Sequence, residues 1–250
     1  MTGMRLLIAN ANTTAAITEA CAAAARAAAA PQTEIIAATP RFGAAVISTR
    51  AENAVAAHAL LELLAEHAGQ VEAVVLAVSH DTALEAARQL MPCPVVGMTE
   101  AACLTACMLG GRFGVVTFGG VDTYREQIAR LGLATRLSGL RGLAVTPPQA
   151  LADPEGVGQM VLEAVAAMVA EGADSIVLGG AGLAGFDTRL GDRAPVPLLD
   201  GIACAVRLVE GLARAGYRKP RAGSYAAPTA RAVSGLSPAL TRLLAGKTGD

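Results

Sequence analysis

One short polar turn contains the residues most suited to moving a proton. Ser79-His80-Asp81-Thr82 directly follows an apolar run, Ala73–Val78, which reads as a buried strand. An imidazole titrates near pH 6.5 and can therefore accept or donate a proton at neutral pH. The four side chains are sequence neighbours on a tight turn and point apart, so they cannot form a Ser-His-Asp triad, which assembles from distant positions. We predict acid–base chemistry here, carried by His80, Ser79 or Asp81.

A second turn, about a hundred residues later, is rich in glycine. Gly179-Gly180-Ala181-Gly182 follows the apolar strand beginning at Ser175. Glycines let the backbone approach a ligand closely and present N–H donors to an anion. We predict that Gly180, Ala181 and Gly182 bind a small substrate, although close packing of strand against helix is an alternative reason for glycine.

Two more polar turns follow predicted strands. Asn10-Ala11-Asn12-Thr13-Thr14 offers amides and hydroxyls at the start of a helix, where they can either bind an anion or cap the helix. Thr117 stands beside the Phe118-Gly119 turn, where it can hold a polar atom of the substrate or simply form the turn. The residues predicted to contact substrate in these and neighbouring segments are Asn10, Asn12, Thr13, Arg41, Val78, Thr82, Thr117 and Gly119.

Two of these predictions have structural alternatives. Asp81 and Thr82 also suit the cap of a helix predicted over Thr82–Leu90. Arg41, together with Arg50, can close over a carboxylate with bidentate hydrogen bonds, or can be an ordinary solvated loop charge. These alternatives stay open at the level of sequence.

The elements that position these turns alternate between strand and helix. Apolar strands that alternate with helices are typical of parallel sheets covered on both faces. In such sheets, ligands bind outside the carboxyl ends of the strands, where all four turns fall. The tail after Tyr217 is rich in Pro, Gly, Ser and Arg and is predicted to pack back along the surface or over the cleft.

Composition excludes several classes of function. Of the 250 residues, 53% are hydrophobic, which is ample for a core, and the net charge of −1 gives no field to steer a polyanion. Only 3% are aromatic, so stacking on nucleic-acid bases is not expected either.

Apolar runs are too short to cross a bilayer, and the N-terminus lacks the order of a signal peptide. Five cysteines without CxxC spacing favour a reducing cytoplasm over a disulfide framework.

An ordered set of segments carries a family resemblance that spans about Arg5 to Ala215. The chain resembles the aspartate/glutamate/hydantoin racemase superfamily, and most of all its hydantoin and allantoin racemase branch. The segments are Asn10–Thr14, Phe42-Gly43-Ala44, Asp81–Arg88, Pro94–Gly97 with Glu100-Ala101, Gly111-Arg112-Phe113 with Thr117, Leu178–Gly182, and Pro197 with Asp200-Gly201.

The resemblance implies a fold and a mechanism. It implies two pseudo-symmetric, Rossmann-like half-domains with parallel sheets and a cleft between them, here residues 1–110 with about 206–250, and residues 111–205. In that branch, each half-domain supplies one cysteine; one thiolate removes the α-proton and the other thiol returns a proton from the far side. No cofactor or metal is implied. A homo-oligomer is implied by the relatives, but the sequence has no signature of its own for one.

This chain departs from the family at both reacting positions. Alignment of the two turns puts Val78 and Gly180 where the cysteines stand, and neither side chain can move a proton. Three outcomes remain. The chain racemises or isomerises a small carbon acid through His80, Asp81 or Ser79; or it is a decarboxylase or lyase of a malonate-like acid; or it binds a small ligand without turnover. We favour the first, a cofactor-independent isomerase acting on a hydantoin, allantoin or amino-acid type of substrate.

Overall fold

The computed structural model describes residues 3–246, which fold as two units, each built on a four-stranded parallel sheet. Residues up to Gly97, together with those from Val206 onward, form the first unit. Met98–Ala205 form the second. The predicted α/β class, with two half-domains and parallel sheets, is confirmed.

The first unit begins with alternating strands and helices. Its elements are β1 (Met4–Ala9), α1 (Ala15–Ala28), β2 (Thr33–Ala38), α2 (Arg50–His67), β3 (Ala73–Leu76), α3 (Leu84–Leu90) and β4 (Val95–Gly97). Helix α2 begins with a capping box, in which the Thr49 hydroxyl accepts from the Glu52 N–H and the Glu52 carboxylate accepts from the Thr49 N–H.

The second unit repeats the alternation. Its elements are α4 (Met98–Leu109), β5 (Phe113–Phe118), α5 (Asp122–Arg130), β6 (Leu137–Leu143), α6 (Pro147–Ala152), α7 (Pro154–Ala170), β7 (Ser175–Leu178), α8 (Phe186–Leu190) and β8 (Leu198–Asp200). Helix α9 (Gly201–Arg214) then leads into the first unit's C-terminal segment. Within residues 3–246, no helix is both long enough and apolar enough to cross a membrane.

The two sheets have the same topology. The strand order is β2-β1-β3-β4 in one and β6-β5-β7-β8 in the other, with every pairing parallel. In each sheet the chain winds first to one side of the opening strand and then to the other. The order therefore reverses between β1 and β3, and again between β5 and β7. Sheets of this kind bind ligands at the carboxyl ends of the strands that flank such a reversal.

The central strands of each sheet are buried because they are apolar on both faces, whereas the edge strands β2 and β6 are only partly buried. In the first unit, Leu7 and Val74 pack with Leu60 and Leu64 of α2, and all four are almost wholly buried. In the second, Ile176 packs with the α7 face that carries residues such as Val161 and Val165. Alternating polar positions are unnecessary in strands that meet helices on both sides.

The C-terminal segment packs on the first unit and ends in a helix that composition did not predict. Helix α10 (Pro238–Leu244) buries Leu240 and Leu243 in a small cluster with residues of α2 and α3. Ser237 starts the helix, because its hydroxyl accepts from the Leu240 N–H at 3.1 Å while its own N–H donates to Glu62 at 3.1 Å. The prediction that the tail packs back along the surface is met by this contact with α2.

Candidate active site

In each unit, two turns adjoin at the point where the strand order reverses. In the first unit, the Ala77 N–H donates to the Ala9 carbonyl at 2.9 Å, just beyond β1 and β3. In the second, the Gly179 N–H donates to the Val116 carbonyl at 2.7 Å. The repeated topology therefore brings each predicted pair of turns together within its own unit. We call residues 10–14 the asparagine turn, 78–83 the histidine turn, and 179–183 the glycine turn.

The histidine turn holds its backbone in an unusual conformation. Asp81 has a φ of 45° and Ala83 a φ of 57°, and these are the only residues other than glycine with positive φ in the part of the chain described. Two bonds close the turn: the Asp81 N–H donates to Val78 and the Leu84 N–H donates to Asp81, both at 3.0 Å. Left-handed backbone is costly for residues with a Cβ and is concentrated at functional sites.

This strain gives a first stability prediction. Ala83→Gly should raise the free energy of unfolding by about 1 kcal/mol, because glycine adopts a φ of 57° without a steric penalty. Urea unfolding measures the change. The matched control is Ala86→Gly, inside α3, which should lower stability by about 1 kcal/mol, the ordinary cost of glycine in a helix. Equal destabilisation by both substitutions would contradict a strained turn.

Asp81 and Thr82 are held inside the first unit rather than capping a helix. The predicted helix start at Thr82 is wrong, since α3 begins at Leu84 and its N-cap, Ala83, makes no side-chain cap bond. The Thr82 hydroxyl instead donates to the Asn53 side chain at 2.6 Å. The Asp81 carboxyl packs directly on Gly97, in the space that a Cβ there would occupy.

His80 carries the imidazole of this turn, and its part in proton transfer stays a prediction. It is half-buried, and burial lowers the pKa of its imidazole below the usual 6.5. The ring is therefore neutral at pH 7 and able to accept a proton. Ser79 is also half-buried, whereas Asp81 is 7% exposed and Val78 is 7% exposed.

The asparagine turn is organised by the Asn10 side chain. Asn10 is fully buried, and its amide donates to the Asn12 side chain and to the Thr18 hydroxyl, both at 3.0 Å. The side-chain oxygen of Asn10 accepts from the Asn12 N–H at 3.1 Å. The side-chain oxygen of Asn12 accepts from the Thr14 N–H at 2.9 Å. Asn10 thus shapes the turn, in which Asn12, Thr13 and Thr14 are half-buried. Substrate contacts by these three residues stay predictions.

Thr14, at the N-cap of α1, makes no side-chain cap bond, so helix capping does not explain this turn. Its hydroxyl donates to the Ala45 carbonyl at 2.8 Å, which fixes the following loop.

Arg41, on the same loop, forms an ion pair with Glu66 at 3.0 Å, and its side chain is 82% exposed. An exposed pair of this kind contributes little to stability and can exchange for another carboxylate.

At the end of β5, Thr117 is buried and Gly119 turns the chain. Thr117 is 3% exposed, and Gly119 has a φ of 64°, a left-handed value that glycine adopts freely. The Gly119 N–H donates to Leu143 at 3.0 Å. Its carbonyl occupies the place that a Cβ on Gly142 would take, so β6 requires glycine at that position.

The glycine turn is shaped by a tyrosine and by its own backbone. A Cβ on Gly179 would lie 2.8 Å from the Tyr124 hydroxyl and 2.9 Å from two ring carbons, so the phenol fills that space. Gly180 has a φ of 106°, which L side chains rarely adopt. Ala181 opens a short 3-10 turn that ends at Leu183; the side chain of Ala181 lies outside the described part of the structure.

A buried carboxylate lies at the end of the neighbouring strand β8. Asp200 is 4% exposed and accepts from the Gly185 N–H at 2.9 Å and the Ala203 N–H at 2.8 Å. It therefore joins the segment after the glycine turn to the first turn of α9. Burial raises the pKa of the Asp200 carboxyl, and the nearby Asp187 adds to the rise, while the two N–H donors oppose it.

The sequence did not single out the supporting role of Tyr124 or Asn53. Tyr124 lies on α5, whose sequence is mostly polar, yet it is 3% exposed and packs against Gly179. Asp200 is among the residues that carry the family resemblance, but its hydrogen bonds to Gly185 and Ala203 could not be predicted from the sequence.

The repeated topology and the paired turns define a class of α/β protein built from two similar parallel-sheet units, a class that includes racemases. The sequence pattern described as Asp/Glu/hydantoin racemase matches residues 6–209. The chain belongs to the Asp/Glu/hydantoin racemase family, as its turns predicted, and the expectation of an isomerase-type enzyme is confirmed at the level of the family.

Known relatives cover nearly the whole chain. Hydantoin racemase from Paenarthrobacter aurescens is 34% identical over 236 residues, which are 90% of this chain and 98% of that protein. The structure of allantoin racemase from Klebsiella pneumoniae is 35% identical, with a TM-score of 0.89 over 95% of this chain and 99% of the other. Arylmalonate decarboxylase, at 17% identity and a TM-score of 0.59 over 97% and 98% of the two chains, shares the fold alone.

Proposed function

We propose that this protein is a cofactor-independent isomerase that racemises a small carbon acid of the hydantoin or allantoin type, with His80 as the base. The observation that carries the proposal is a neutral, half-buried imidazole on the histidine turn, in a chain whose relatives are racemases over nearly their full length. Amino acids are the wider substrate class that the family allows.

The proposed first step is removal of the α-proton. The His80 imidazole accepts the proton, the C–H bond breaks, and its electron pair moves into the neighbouring carbonyl to give a planar enolate. Hydantoins have fairly acidic α-protons, so a modest base suffices when the developing oxyanion is stabilised by N–H donors. Donors of the asparagine turn, which adjoins the histidine turn within the first unit, are the proposed source of that stabilisation.

The proposed second step differs from that of the two-thiol relatives. Val78 and Gly180 stand where the resemblance implies cysteines, and the glycine turn itself carries no titratable side chain. We therefore propose a one-base mechanism. The imidazolium returns its proton to the same face, which restores the starting enantiomer. In the turnovers that invert the centre, water protonates the opposite face, and the imidazolium then gives its proton to the hydroxide that remains, which regenerates neutral His80.

A substrate panel tests this function. Purified protein is incubated with single enantiomers of 5-substituted hydantoins, allantoin, aspartate and glutamate, and the enantiomers are separated by chiral chromatography. We expect racemisation above the spontaneous rate for a hydantoin or for allantoin. No racemisation of any member of the panel by folded protein would overturn the proposal.

The second candidate function is binding without turnover. It is favoured by one observation, that both positions implied to carry thiols hold residues unable to transfer a proton. A binder would show saturable calorimetric binding of the same compounds with unchanged enantiomers. The decarboxylase alternative has only the shared fold in its favour, and release of carbon dioxide from an arylmalonate would identify it.

A further inference from the structure

A basic cavity lies in the first unit, outside the turns described above. Its volume is about 570 Å³, within the range of small-molecule sites. It is lined by Pro92, Tyr217, Arg218, Lys219, Pro220, Arg221, Ala226 and Ala227. We call it the tail cavity, because all but one of these residues belong to the segment after α9.

The tail cavity is on the opposite edge of the sheet from the histidine turn. Pro92 precedes β4, whose first residue is Val95, and therefore lies at the amino edge. The histidine turn follows β3 and lies at the carboxyl edge. These strands are parallel, so the two edges are separated by the length of the sheet. A ligand in the tail cavity would therefore not occupy the first unit's candidate catalytic turns.

The charge of the cavity is positive and not neutralised by its own walls. Three cationic residues and no acidic residue line it. Lys219 is anchored, since its ammonium donates to the carbonyls of Arg88 at 2.7 Å and Met91 at 2.9 Å, at the end of α3. Arg218 and Arg221 are exposed, and no carboxylate of the described residues forms an ion pair with either.

The other lining residues are a tyrosine, two prolines and two alanines. Tyr217 is 73% exposed, which leaves most of its surface open to solvent at the cavity, and Pro92 and Pro220 are also part of the lining. Arginine binds a phosphate dianion with paired, charge-assisted hydrogen bonds, and both Arg218 and Arg221 line the cavity. The volume leaves room for a group larger than phosphate itself.

We propose that the tail cavity is a binding site for a small phosphomonoester, with Arg218 and Arg221 holding the phosphate. Lys219 adds a fixed positive charge, and its bonds to α3 keep the segment that carries both arginines in place. The site is independent of the proposed isomerase activity.

Isothermal titration calorimetry tests the site with three probes: inorganic phosphate, adenosine monophosphate and adenosine. We expect both phosphate-bearing probes to bind and to weaken as salt is added, while adenosine does not bind. The double variant R218Q/R221Q should weaken binding by about 100-fold, because two charge-assisted hydrogen-bonding groups are lost. R231Q, an exposed arginine of the same segment outside the lining, is the matched control and should bind as the parent does.

Several results would overturn the site. They are the absence of binding by both phosphate-bearing probes, equal binding of adenosine and its monophosphate, and unchanged affinity in R218Q/R221Q. Equal losses in R231Q and in the double variant would also overturn it, since they would indicate a diffuse charge effect. Circular dichroism confirms that each variant is folded before titration.

Discussion

Replacing His80 with glutamine is expected to lower racemisation by about 100- to 10,000-fold, the range that a positioned general base contributes. Glutamine keeps a polar side chain of similar reach but cannot accept a proton at neutral pH. The rate of enantiomer interconversion under saturating substrate is the measurement. Because His80 is only half-buried, the substitution should leave the unfolding midpoint nearly unchanged.

The pH dependence of the same reaction follows from the lowered pKa of His80. The base is active when neutral, so the rate should rise with pH through a value below 6.5 and then level off.

The protonation of the His80 imidazole also affects the stability of the fold. Below the unfolded-state pKa of about 6.5, the unfolded chain binds a proton that the folded chain resists, so this group makes the fold less stable as pH falls.

The matched control for His80→Gln is His58→Gln on α2. His58 pairs with Glu62 at 3.4 Å on its own helix and lies outside the predicted site, so its removal should leave the rate within about twofold of the parent. Parent-like activity in His80→Gln, with the acid limb of the pH profile retained, would rule out His80 as the base.

Introducing the two thiols is expected to increase racemisation. The double variant V78C/G180C should raise the rate by about 100-fold, because the resemblance implies that a thiol at each of these positions carries a proton to or from the substrate carbon. The gain has an opposing cost. Gly180 has a φ of 106°, so a side chain there strains the glycine turn and should destabilise the protein by about 1 to 3 kcal/mol.

The control for the thiol pair is V78S/G180S, which introduces side chains of similar size without thiolate chemistry. It should carry the same loss of stability, measured by urea unfolding, and no gain in rate. If V78C/G180C is folded and still no faster than the parent, thiols at these two positions do not carry out the proton transfer that the resemblance implies.

Much of the fold could be predicted because burial imposes a readable pattern. Runs such as Ala73–Val78 are apolar throughout, and only strands covered on both faces need that composition. The helix over Pro238–Leu244 could not be predicted with the same ease. It is short, begins after a segment rich in breakers, and is stabilised by contact with α2 rather than by its own propensity.

The position of the candidate site could be predicted, but the roles of several residues in it could not. Strand ends and polar turns identified the histidine and glycine turns, because ligands bind at the carboxyl ends of parallel strands. Thr82 looked like a helix cap by residue type, yet its hydroxyl bonds Asn53, twenty-nine positions earlier in the chain. A partner so far away in sequence leaves no local signal.

The histidine turn shows a further limit of local reasoning. Alanine is a strong helix former and gave no reason to expect a φ of 57° at position 83. The surrounding bonds from Asp81 and Leu84 enforce that conformation. Strain of this kind appears only when tertiary contacts outweigh the preference of the residue itself.

The most direct test is proton exchange in heavy water. A single enantiomer of a 5-substituted hydantoin is incubated with the parent protein in D2O, with loss of the α-proton signal followed by NMR and inversion by optical rotation. If His80 removes the α-proton and mostly returns a deuteron to the same face, the substrate should gain deuterium faster than its optical rotation falls. Both rates should be lost in His80→Gln. An α-proton signal that decays only at the spontaneous rate, for hydantoins and allantoin alike, would contradict the account.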